Sequence, residues 1–232
     1  MELTKEKIVL TLTISNVKWV FNMVWEGYYR GLKDLPDRLK KPVPFVVGSL
    51  SLFYGCNVRI VLDLGCGAGR HCVFLAKEGF NVVGIDFSKS SLKIAREWVR
   101  RGKLGNVDFV RGTMTHLPFT ANFFDAVISV SVLHHAVKSE IAKAVREVHR
   151  VLRRGGLLIA NLVSVEDHRF GKGEKLEEGT FRIKEEFEEH KFEEIHHFFT
   201  REEASKLLED FTKIEIKPIK RHHRYWKVIA FK

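Results

Sequence analysis

The sequence has few cysteines and no long apolar run, and each absence excludes a class of protein. Three cysteines in 232 residues are too few for a disulfide framework, which predicts a reducing compartment and a cytoplasmic protein. No stretch approaches the roughly 20 apolar residues that a membrane-spanning helix needs, so no membrane partner is expected. Polar side chains interrupt the apolar stretch of residues 8–20, which argues against a signal peptide. There is also no internal repeat or low-complexity tract.

The formal net charge of +10 suggests nucleic-acid binding, because phosphates attract lysine and arginine. The charge is unevenly distributed, however. Residues 163–210 contain 15 acidic and 8 basic residues, whereas the rest of the chain is basic. The hydrophobic fraction of 45% allows a sizeable core, and the length suggests one domain rather than two. The abundance of both lysine and glutamate predicts a thermophilic source.

Short apolar runs alternate with amphipathic patterns through the middle of the chain. The apolar runs predict strands at 59–64, 81–86, 107–110, 124–130 and 157–162, and the patterns between them predict helices at 70–78, 88–101 and 141–152. Ser88 is the predicted N-cap of the second of these helices. Strands joined by helical crossovers form a parallel sheet with helices on both faces. The remaining predicted elements are a flap of short strands or irregular structure at 163–200, a helix at 201–210 capped by Thr200, and antiparallel strands at 211–218 and 225–231.

Glycines are concentrated in the turn between the first predicted strand and its helix, at Asp63-Leu64-Gly65-Cys66-Gly67-Ala68-Gly69. Glycines let the backbone turn tightly and let a ligand approach closely, and the helix that follows directs its free amides at that ligand. Asp86 ends the next strand, where a carboxylate can bind both hydroxyls of a ribose. A dinucleotide fingerprint would have glycine or alanine at position 70, where this chain has Arg70, and Asp63 would repel a pyrophosphate. The loop therefore favours a nucleoside without phosphates and with a cationic amino-acid tail.

These residues resemble the class I S-adenosylmethionine-dependent methyltransferases of the small-molecule type. The matching motifs are VLDLGCGAG (61–69), VVGIDFS (82–88), the stretch from Gly112 through Leu117-Pro118-Phe119 to Asp125, and REVHRVLRRGGLLIA (146–160). The resemblance covers residues 45–162 well. It implies an α/β fold with a doubly wound, seven-stranded, mostly parallel sheet of order 3-2-1-4-5-7-6, in which the last strand is antiparallel.

We expect a single methyltransferase domain, divided into four parts. These are an N-terminal helical cap with a lead-in helix (1–57), a cofactor-binding core (58–162), a substrate flap (163–200) and a closing helix with two strands (201–232). The sequence leaves open whether the protein is a monomer or a homodimer.

The resemblance implies S-adenosylmethionine as the cofactor and assigns its contacts. The predicted contacts are Asp63, Gly65, Cys66, Gly67, Gly69, Asp86, Phe87, Thr113, Met114 and Val130. The glycines would pack beneath the methionine part, Asp63 would orient the loop near the ammonium, and Asp86 would hold the ribose. Phe87 would lie against the adenine. The family usually has an acid for the adenine amino group where this chain has Thr113, so a hydroxyl or a backbone group must replace it.

Methyl transfer is an in-line displacement from a sulfonium, to which an enzyme contributes mainly proximity and alignment. A base is needed when the nucleophile must lose a proton. His134 and His135 follow the fourth strand and are similar to the Leu-His-His of many small-molecule members. One of them could be a base or a substrate contact, or both could only shape the loop. Trp25 and Tyr29 resemble a segment that folds over the pocket, although they could simply be buried by an amphipathic helix.

His197 is a third predicted substrate contact, and no metal site is predicted. His196 and His197 are adjacent, and neighbouring side chains of a strand point to opposite faces, which prevents them from sharing an ion. The same argument applies to His222 and His223.

The charge distribution predicts the class of acceptor. In this family the segment after the fifth strand commonly covers the substrate, and here it contains the glutamates 185, 186, 188, 189, 193 and 194. Such a surface repels phosphates and suits a neutral or cationic small molecule, although it could also be a solvated face. The sequence lacks the Asn/Asp-Pro-Pro-Tyr and Pro-Cys motifs of enzymes that methylate nucleic-acid bases. An RNA methyltransferase remains the alternative, because residues 217–224 are basic and precede Tyr225 and Trp226. A non-catalytic cofactor-binding protein is a third interpretation.

Overall fold

The computed structural model describes residues 24–187, 190–220 and 224–232, and a seven-stranded sheet lies at its centre. The strands of the chain are β1 (Ile60–Leu64), β2 (Asn81–Asp86), β3 (Val107–Arg111), β4 (Phe124–Ser129), β5 (Leu152–Val163), β6 (Glu174–Glu177), β7 (Thr180–Phe187), β8 (His190–His197), β9 (Thr212–Lys220) and β10 (Arg224–Phe231). The central sheet has the order β3-β2-β1-β4-β5-β10-β9, and β10 is antiparallel to both neighbours. Since β9 and β10 are its sixth and seventh strands, the predicted order 3-2-1-4-5-7-6 is confirmed.

Helices cover both faces of this sheet. They are α1 (residues 24–31, its described part), α2 (Pro44–Val47), α3 (Leu50–Gly55), α4 (Arg70–Lys77), α5 (Lys89–Arg101), α6 (Lys138–Val151) and α7 (Arg201–Leu207), with a 3₁₀ turn at Asp37–Leu39. Leu62 and Leu64 of β1 share a core cluster with α6 and α7, whereas Val61 packs with α2 to α5. This alternation follows from the period of two in a strand and gives the doubly wound arrangement.

Two predicted helix caps are confirmed. The Ser88 hydroxyl accepts a hydrogen bond from the Ser91 amide at 3.0 Å, and the Thr200 hydroxyl accepts one from the Glu203 amide at 3.1 Å. The predicted helix ends are less accurate, because α6 begins at Lys138 rather than at 141 and α7 ends at Leu207 rather than at 210. Apolar spacing locates the buried middle of a helix better than its solvated ends.

The segment after β5 forms a small sheet of its own, which we call the flap sheet. Its three antiparallel strands have the order β6-β7-β8. Phe181, Ile183 and Phe198 pack against Val163 at the end of β5. The sequence predicted short strands or irregular structure here, and the described residues are mainly paired strands.

The helix α1 is attached to the core through Glu26. The Glu26 carboxylate accepts hydrogen bonds from the hydroxyls of Ser88 and Ser90 at 2.9 and 2.6 Å and from the Ser90 amide at 3.1 Å. These donors lie at the N-terminus of α5, where the helix dipole favours an anion. The earlier part of the predicted cap, residues 1–23, lies outside the described residues, as does the tip of the basic hairpin at 221–223.

No helix in the described ranges has the length and apolarity needed to cross a bilayer.

Candidate active site

The turn between β1 and α4, residues 65–69, is the glycine loop. The amides of Gly65 and Cys66 donate to the carbonyl of Ile85 at 2.8 and 3.1 Å, which holds the loop against β2. Gly65 and Gly67 have φ angles of 70° and 53°, which few residues with a side chain adopt. A Cβ on Gly65 would overlap Val132, and a Cβ on Gly67 would lie 2.5 Å from the hydroxyl of Tyr29. Glycine is therefore required at both positions.

Asp86, at the end of β2, directs its carboxylate toward this loop. One oxygen accepts a hydrogen bond from the Gly67 amide at 2.9 Å and the other accepts one from the Ser88 amide at 2.8 Å. The side chain is buried, and burial raises the pKa of this carboxyl although the backbone amides oppose the shift. Ser91 and the Phe87 backbone also act on this carboxylate, so several groups fix its position at the cavity.

The glycine loop and Asp86 border a cavity of about 330 Å³, within the range of small-molecule sites. The predicted cofactor and substrate residues that line it are Trp25, Tyr29, Gly65, Cys66, Gly67, Asp86, Phe87, Thr113, Met114, Val130 and His135. Their elements are separated by up to about a hundred residues, and the carboxyl ends of the parallel strands bring them to one edge of the sheet.

Arg70, the first residue of α4, also lines this cavity. Its guanidinium donates to the Arg38 carbonyl at 3.3 Å and interacts electrostatically with Tyr29 and Asp63. Burial and the nearby Asp86 carboxylate raise the pKa of Tyr29. The loop end of the cavity therefore offers an anion at Asp86, a cation at Arg70 and a neutral phenol at Tyr29.

Asp63 lies beneath the glycine loop and does not line the cavity. It is 1% exposed, and the thiol of Cys72 donates to its carboxylate at 3.2 Å. Burial raises the pKa of Asp63 to about 7, so near neutral pH the side chain is partly protonated. Its position fits a role in supporting the loop from within.

The cavity is also bordered by α1 and by the flap sheet. Trp25 of α1 and Ile195 of β8 both line the cavity. The ring of Trp25 lies 5.9 Å from that of Phe192 in β8 and 6.4 Å from that of His135, which follows β4. These aromatic contacts join the cap, the flap sheet and the core at the cavity.

Comparison with known proteins relates this fold to methyltransferases. Residues 62–160 match a family model described as a methyltransferase domain. A SAM-dependent methyltransferase structure from Methanosarcina mazei aligns with 83% of this chain and 98% of its own chain, at 25% identity and a TM-score of 0.69. Residues 62–160 are therefore a methyltransferase domain, and the fold around them is shared with a SAM-dependent methyltransferase.

Two further methyltransferases are similar over different lengths. A demethylmenaquinone methyltransferase of Listeria welshimeri is 37% identical over 101 residues, which are 42% of this chain and 42% of that protein. The match thus spans less than half of that relative. The Burkholderia thailandensis 1,6-didemethyltoxoflavin-N1-methyltransferase, solved with its substrate and S-adenosylhomocysteine, aligns with 100% of this chain and 92% of its own at 18% identity and a TM-score of 0.63. At this identity the likeness concerns the fold.

Four of the predicted site residues do not line the cavity. Asp63 lies beneath the glycine loop, Gly69 at the end of the loop faces Ala95 and Phe109, and His134 is buried beside His135. His197 is 1% exposed; its Nδ1 lies 2.8 Å from the Thr180 hydroxyl and its Nε2 lies 3.2 Å from Glu203. We therefore do not retain His197 as a substrate contact.

The histidines near the cavity form a cluster that the sequence did not indicate. As predicted, His196 and His197 point to opposite faces of β8, but His196 then meets His134 and His135 from the loop after β4. Glu194 lies beside them, 3% exposed, although the sequence interpretation placed it on a surface lining the substrate or solvated. The prediction of no metal site concerned adjacent histidines, whereas His134, His135 and His196 come together from distant segments.

Sequence reasoning missed three charged residues at this site. Arg70 was used only to exclude a dinucleotide site, and Glu26 and Glu140 were not singled out. Glu140, in the first turn of α6, lines the cavity and pairs with Lys143 at 2.8 Å. The sequence did offer a sign of this role. Glu140 lies in the first turn of the helix that follows the histidines, and such turns lie at the carboxyl edge of the sheet, where ligands bind.

Proposed function

We propose that this protein transfers a methyl group from S-adenosylmethionine to a small-molecule acceptor. The observation that carries the proposal is one cavity lined by the glycine loop and Asp86 together with residues of α1 and β8. The loop and Asp86 suit a nucleoside with an amino-acid tail, and the acceptor would lie beside it against Trp25 and Ile195. The methyltransferase-domain match over residues 62–160 supports this proposal, and the Listeria relative is named a demethylmenaquinone methyltransferase.

The residues at the loop side fit S-adenosylmethionine. Asp86 would accept hydrogen bonds from the ribose hydroxyls, because its carboxylate lines the cavity at the end of β2. Phe87, Thr113 and Met114 line the side of the cavity where the adenine would lie, and the Thr113 hydroxyl would serve in place of the family's acid. Arg70 would pair with the carboxylate of the methionine tail.

The cofactor supplies the methyl group on a sulfonium, which is a good leaving group and needs no acid. The protein's part is to align the acceptor and to exclude water from the reacting atoms. Apolar side chains would exclude water from this part of the cavity. They are Trp25, its neighbour Phe192, and Ile195.

A general-base role for the two predicted catalytic histidines receives little support. Burial lowers the pKa of His135 to about 3, because the cationic ring is poorly solvated there. The pKa of His134 is lowered as well, and that residue does not reach the cavity. We propose His135 as a neutral wall of the acceptor side rather than as a proton acceptor.

The acceptor is proposed to be neutral or cationic. Glu140 adds a carboxylate to the cavity, and this disfavours phosphates. The alternative, an RNA methyltransferase, rests on the basic hairpin, whose tip lies outside the described residues. A cytoplasmic location, a thermophilic source and one catalytic domain for the whole chain remain predictions.

Calorimetry and an acceptor screen test this function. We expect S-adenosylmethionine and S-adenosylhomocysteine to bind with a one-to-one stoichiometry. Release of S-adenosylhomocysteine should be seen with a pool of small metabolites and not with bulk RNA. Absence of cofactor binding at millimolar concentrations would overturn the proposal. Binding without turnover on any pool would favour the non-catalytic interpretation.

A further inference from the structure

Three histidines and a glutamate from two distant segments meet beside the cavity. His134 and His135 lie between β4 and α6, and His196 lies in β8. One ring nitrogen from each histidine lies within 4.8 Å of the others, and the rings of His134 and His196 are 4.4 and 4.5 Å from that of His135. All three are nearly buried, at 1%, 6% and 1% exposure. We call these residues, together with Glu194, the histidine cluster.

Glu194 brings a carboxylate into the same space. It is two residues from His196 on β8, so both side chains point to the same face of the strand. Its Oε2 lies 3.0 Å from Nε2 of His196 and 3.4 Å from Nδ1 of His135. The carboxylate is 3% exposed, and an anion so deeply buried requires compensation by a positive charge or by hydrogen bonds.

The ring of His134 has a buried nitrogen without a hydrogen bond. Among the described residues, its Nδ1 is buried and has no hydrogen-bond partner. Buried polar atoms in folded proteins are almost always satisfied, and a bound ion would satisfy this one. Nδ1 of His134 is therefore available as a metal ligand.

The chemistry of the donors indicates which ion would fit the cluster. Arg169 acts electrostatically on His134 and His135, and its guanidinium donates to Asp167 at 2.7 Å. Three imidazoles and one carboxylate are the donor set that borderline divalent ions prefer. Four protein ligands and low exposure are typical of closed, structural sites.

We propose that His134, His135, His196 and Glu194 bind one divalent transition-metal ion of the zinc class. The ion would join the loop after β4 to the flap sheet and thereby hold β8, with Ile195 and Phe192, against the cavity. This role is independent of the cofactor, so it can be tested without S-adenosylmethionine and without an acceptor.

Metal uptake by the full chain tests the site directly. The protein is purified without a histidine tag, treated with EDTA and dialysed, and Zn²⁺ binding is measured by elemental analysis and by competition with a chromogenic chelator. We expect one zinc ion per chain. Co²⁺ should give the visible absorption bands of tetrahedral coordination. Absence of saturable zinc uptake at micromolar concentrations would overturn the proposal, whatever the outcome of the cofactor experiment.

Variants distinguish this site from adventitious binding. His134→Gln and His196→Gln should lose the stoichiometric ion and the cobalt bands. The matched control is His197→Gln, which changes the same residue type at equal burial on the opposite face of β8 and should keep both. Equal uptake by all three variants would contradict the assignment. Circular dichroism checks their folding, and the wild-type cobalt spectrum remains decisive if the cluster variants do not fold.

Thermal unfolding gives a second readout. A ligand that binds the folded state raises the melting temperature, so zinc added to the metal-free wild type should raise it by several degrees. His134→Gln should show no such rise. A metal-free wild type that melts at the same temperature with and without zinc would show that the cluster is a hydrogen-bonded network without an ion.

Discussion

At the scale of single residues, Asp86 and Arg70 give the cavity its two opposite charges. Asp86 already holds the amides of Gly67 and Ser88, so its position is determined before any ligand arrives. Arg70 is held against the carbonyl of Arg38 in the same way. Preorganised groups lose little entropy on binding, and therefore substitutions at these two residues should change affinity strongly.

Asp86→Asn should weaken S-adenosylmethionine binding by about 10- to 100-fold. The amide removes one acceptor and the negative charge, and a hydrogen bond to a charged group contributes roughly 1.5 to 3 kcal/mol. Titration calorimetry measures the change. Asp108→Asn, an exposed carboxylate on β3, is the control and should leave the affinity unchanged. An unaltered affinity in Asp86→Asn would refute the ribose role.

Arg70→Gln should weaken binding of S-adenosylmethionine and S-adenosylhomocysteine by about tenfold, since an ion pair to the carboxylate tail is lost. Methylthioadenosine lacks that carboxylate, so its affinity should not change. The comparison of these ligands by calorimetry separates an ion pair from general damage to the loop. Arg96→Gln on α5 serves as the control, because this residue is exposed. Equal losses for all three ligands would contradict the assignment.

The raised pKa of Asp63 predicts how the stability of the cofactor-free protein depends on pH. The pKa of Asp63 is about 7 in the folded state, whereas its ordinary value is 3.8, so the unfolded chain loses this proton first as the pH rises. The contribution of Asp63 to stability is complete below pH 4 and is lost progressively up to about pH 7. The total is roughly 4 kcal/mol, from the pKa difference.

Asp63→Asn removes this titration and isolates its effect. The amide resembles the protonated carboxyl, so the variant should gain stability relative to the wild type between pH 4 and 7. Urea unfolding at several pH values measures the difference. A difference that does not vary with pH would show that Asp63 titrates in the ordinary range.

At the scale of elements, α1 is attached to the core by polar contacts from Glu26 and by the aromatic contacts of Trp25. Because Trp25 and Tyr29 line the cavity, the docking of α1 is linked to ligand binding. A ligand that contacts the docked helix stabilises it, and by reciprocity an undocked helix lowers the affinity for the ligand.

Glu26→Gln should therefore reduce the affinity for S-adenosylmethionine by about fivefold, corresponding to about 1 kcal/mol for the lost charge-assisted contacts. It should also speed proteolysis near residues 24–31 while the core unfolds at the same urea concentration. Glu97→Gln on α5 loses its ion pairs with Arg100 and Arg101 and should change neither property. If both variants bind the cofactor alike, the docking role of Glu26 is refuted.

At the scale of the whole molecule, the net charge of +10 and the acidic segment 163–210 have different consequences for binding. The long-range field attracts polyanions to the body of the protein, whereas the Glu140 carboxylate disfavours a phosphate inside the cavity. Association with RNA and methylation of RNA are therefore separate properties.

We expect bulk tRNA to bind weakly at low salt and to be released as the salt concentration rises, without accepting methyl groups. Counterion release makes such binding strongly salt-dependent. A filter-binding titration at several salt concentrations, together with transfer from labelled S-adenosylmethionine, measures both properties. Polyglutamate in place of tRNA is the control for charge. Methyl incorporation into tRNA would favour the RNA alternative instead.

The sequence by itself determined the sheet, its order and the glycine loop with Asp86. These features are local: apolar runs of period two, helical spacing and a glycine-rich turn are read from neighbouring residues, and the motif series then implies the topology. Ser88 and Thr200 were identified as caps for the same reason. The family resemblance was likewise carried by short, contiguous motifs, which is why it was confirmed.

Only the tertiary structure decided the surroundings of the histidines. His134 and His196 are 62 positions apart, and nothing local in the sequence indicates that β8 folds back onto the loop after β4. The same contact buries Glu194, one of several glutamates that look alike in the sequence. Which side chains of an acidic segment face solvent and which face the core depends on how the flap sheet packs. Packing is a long-range property, so a pattern of neighbouring residues does not contain it.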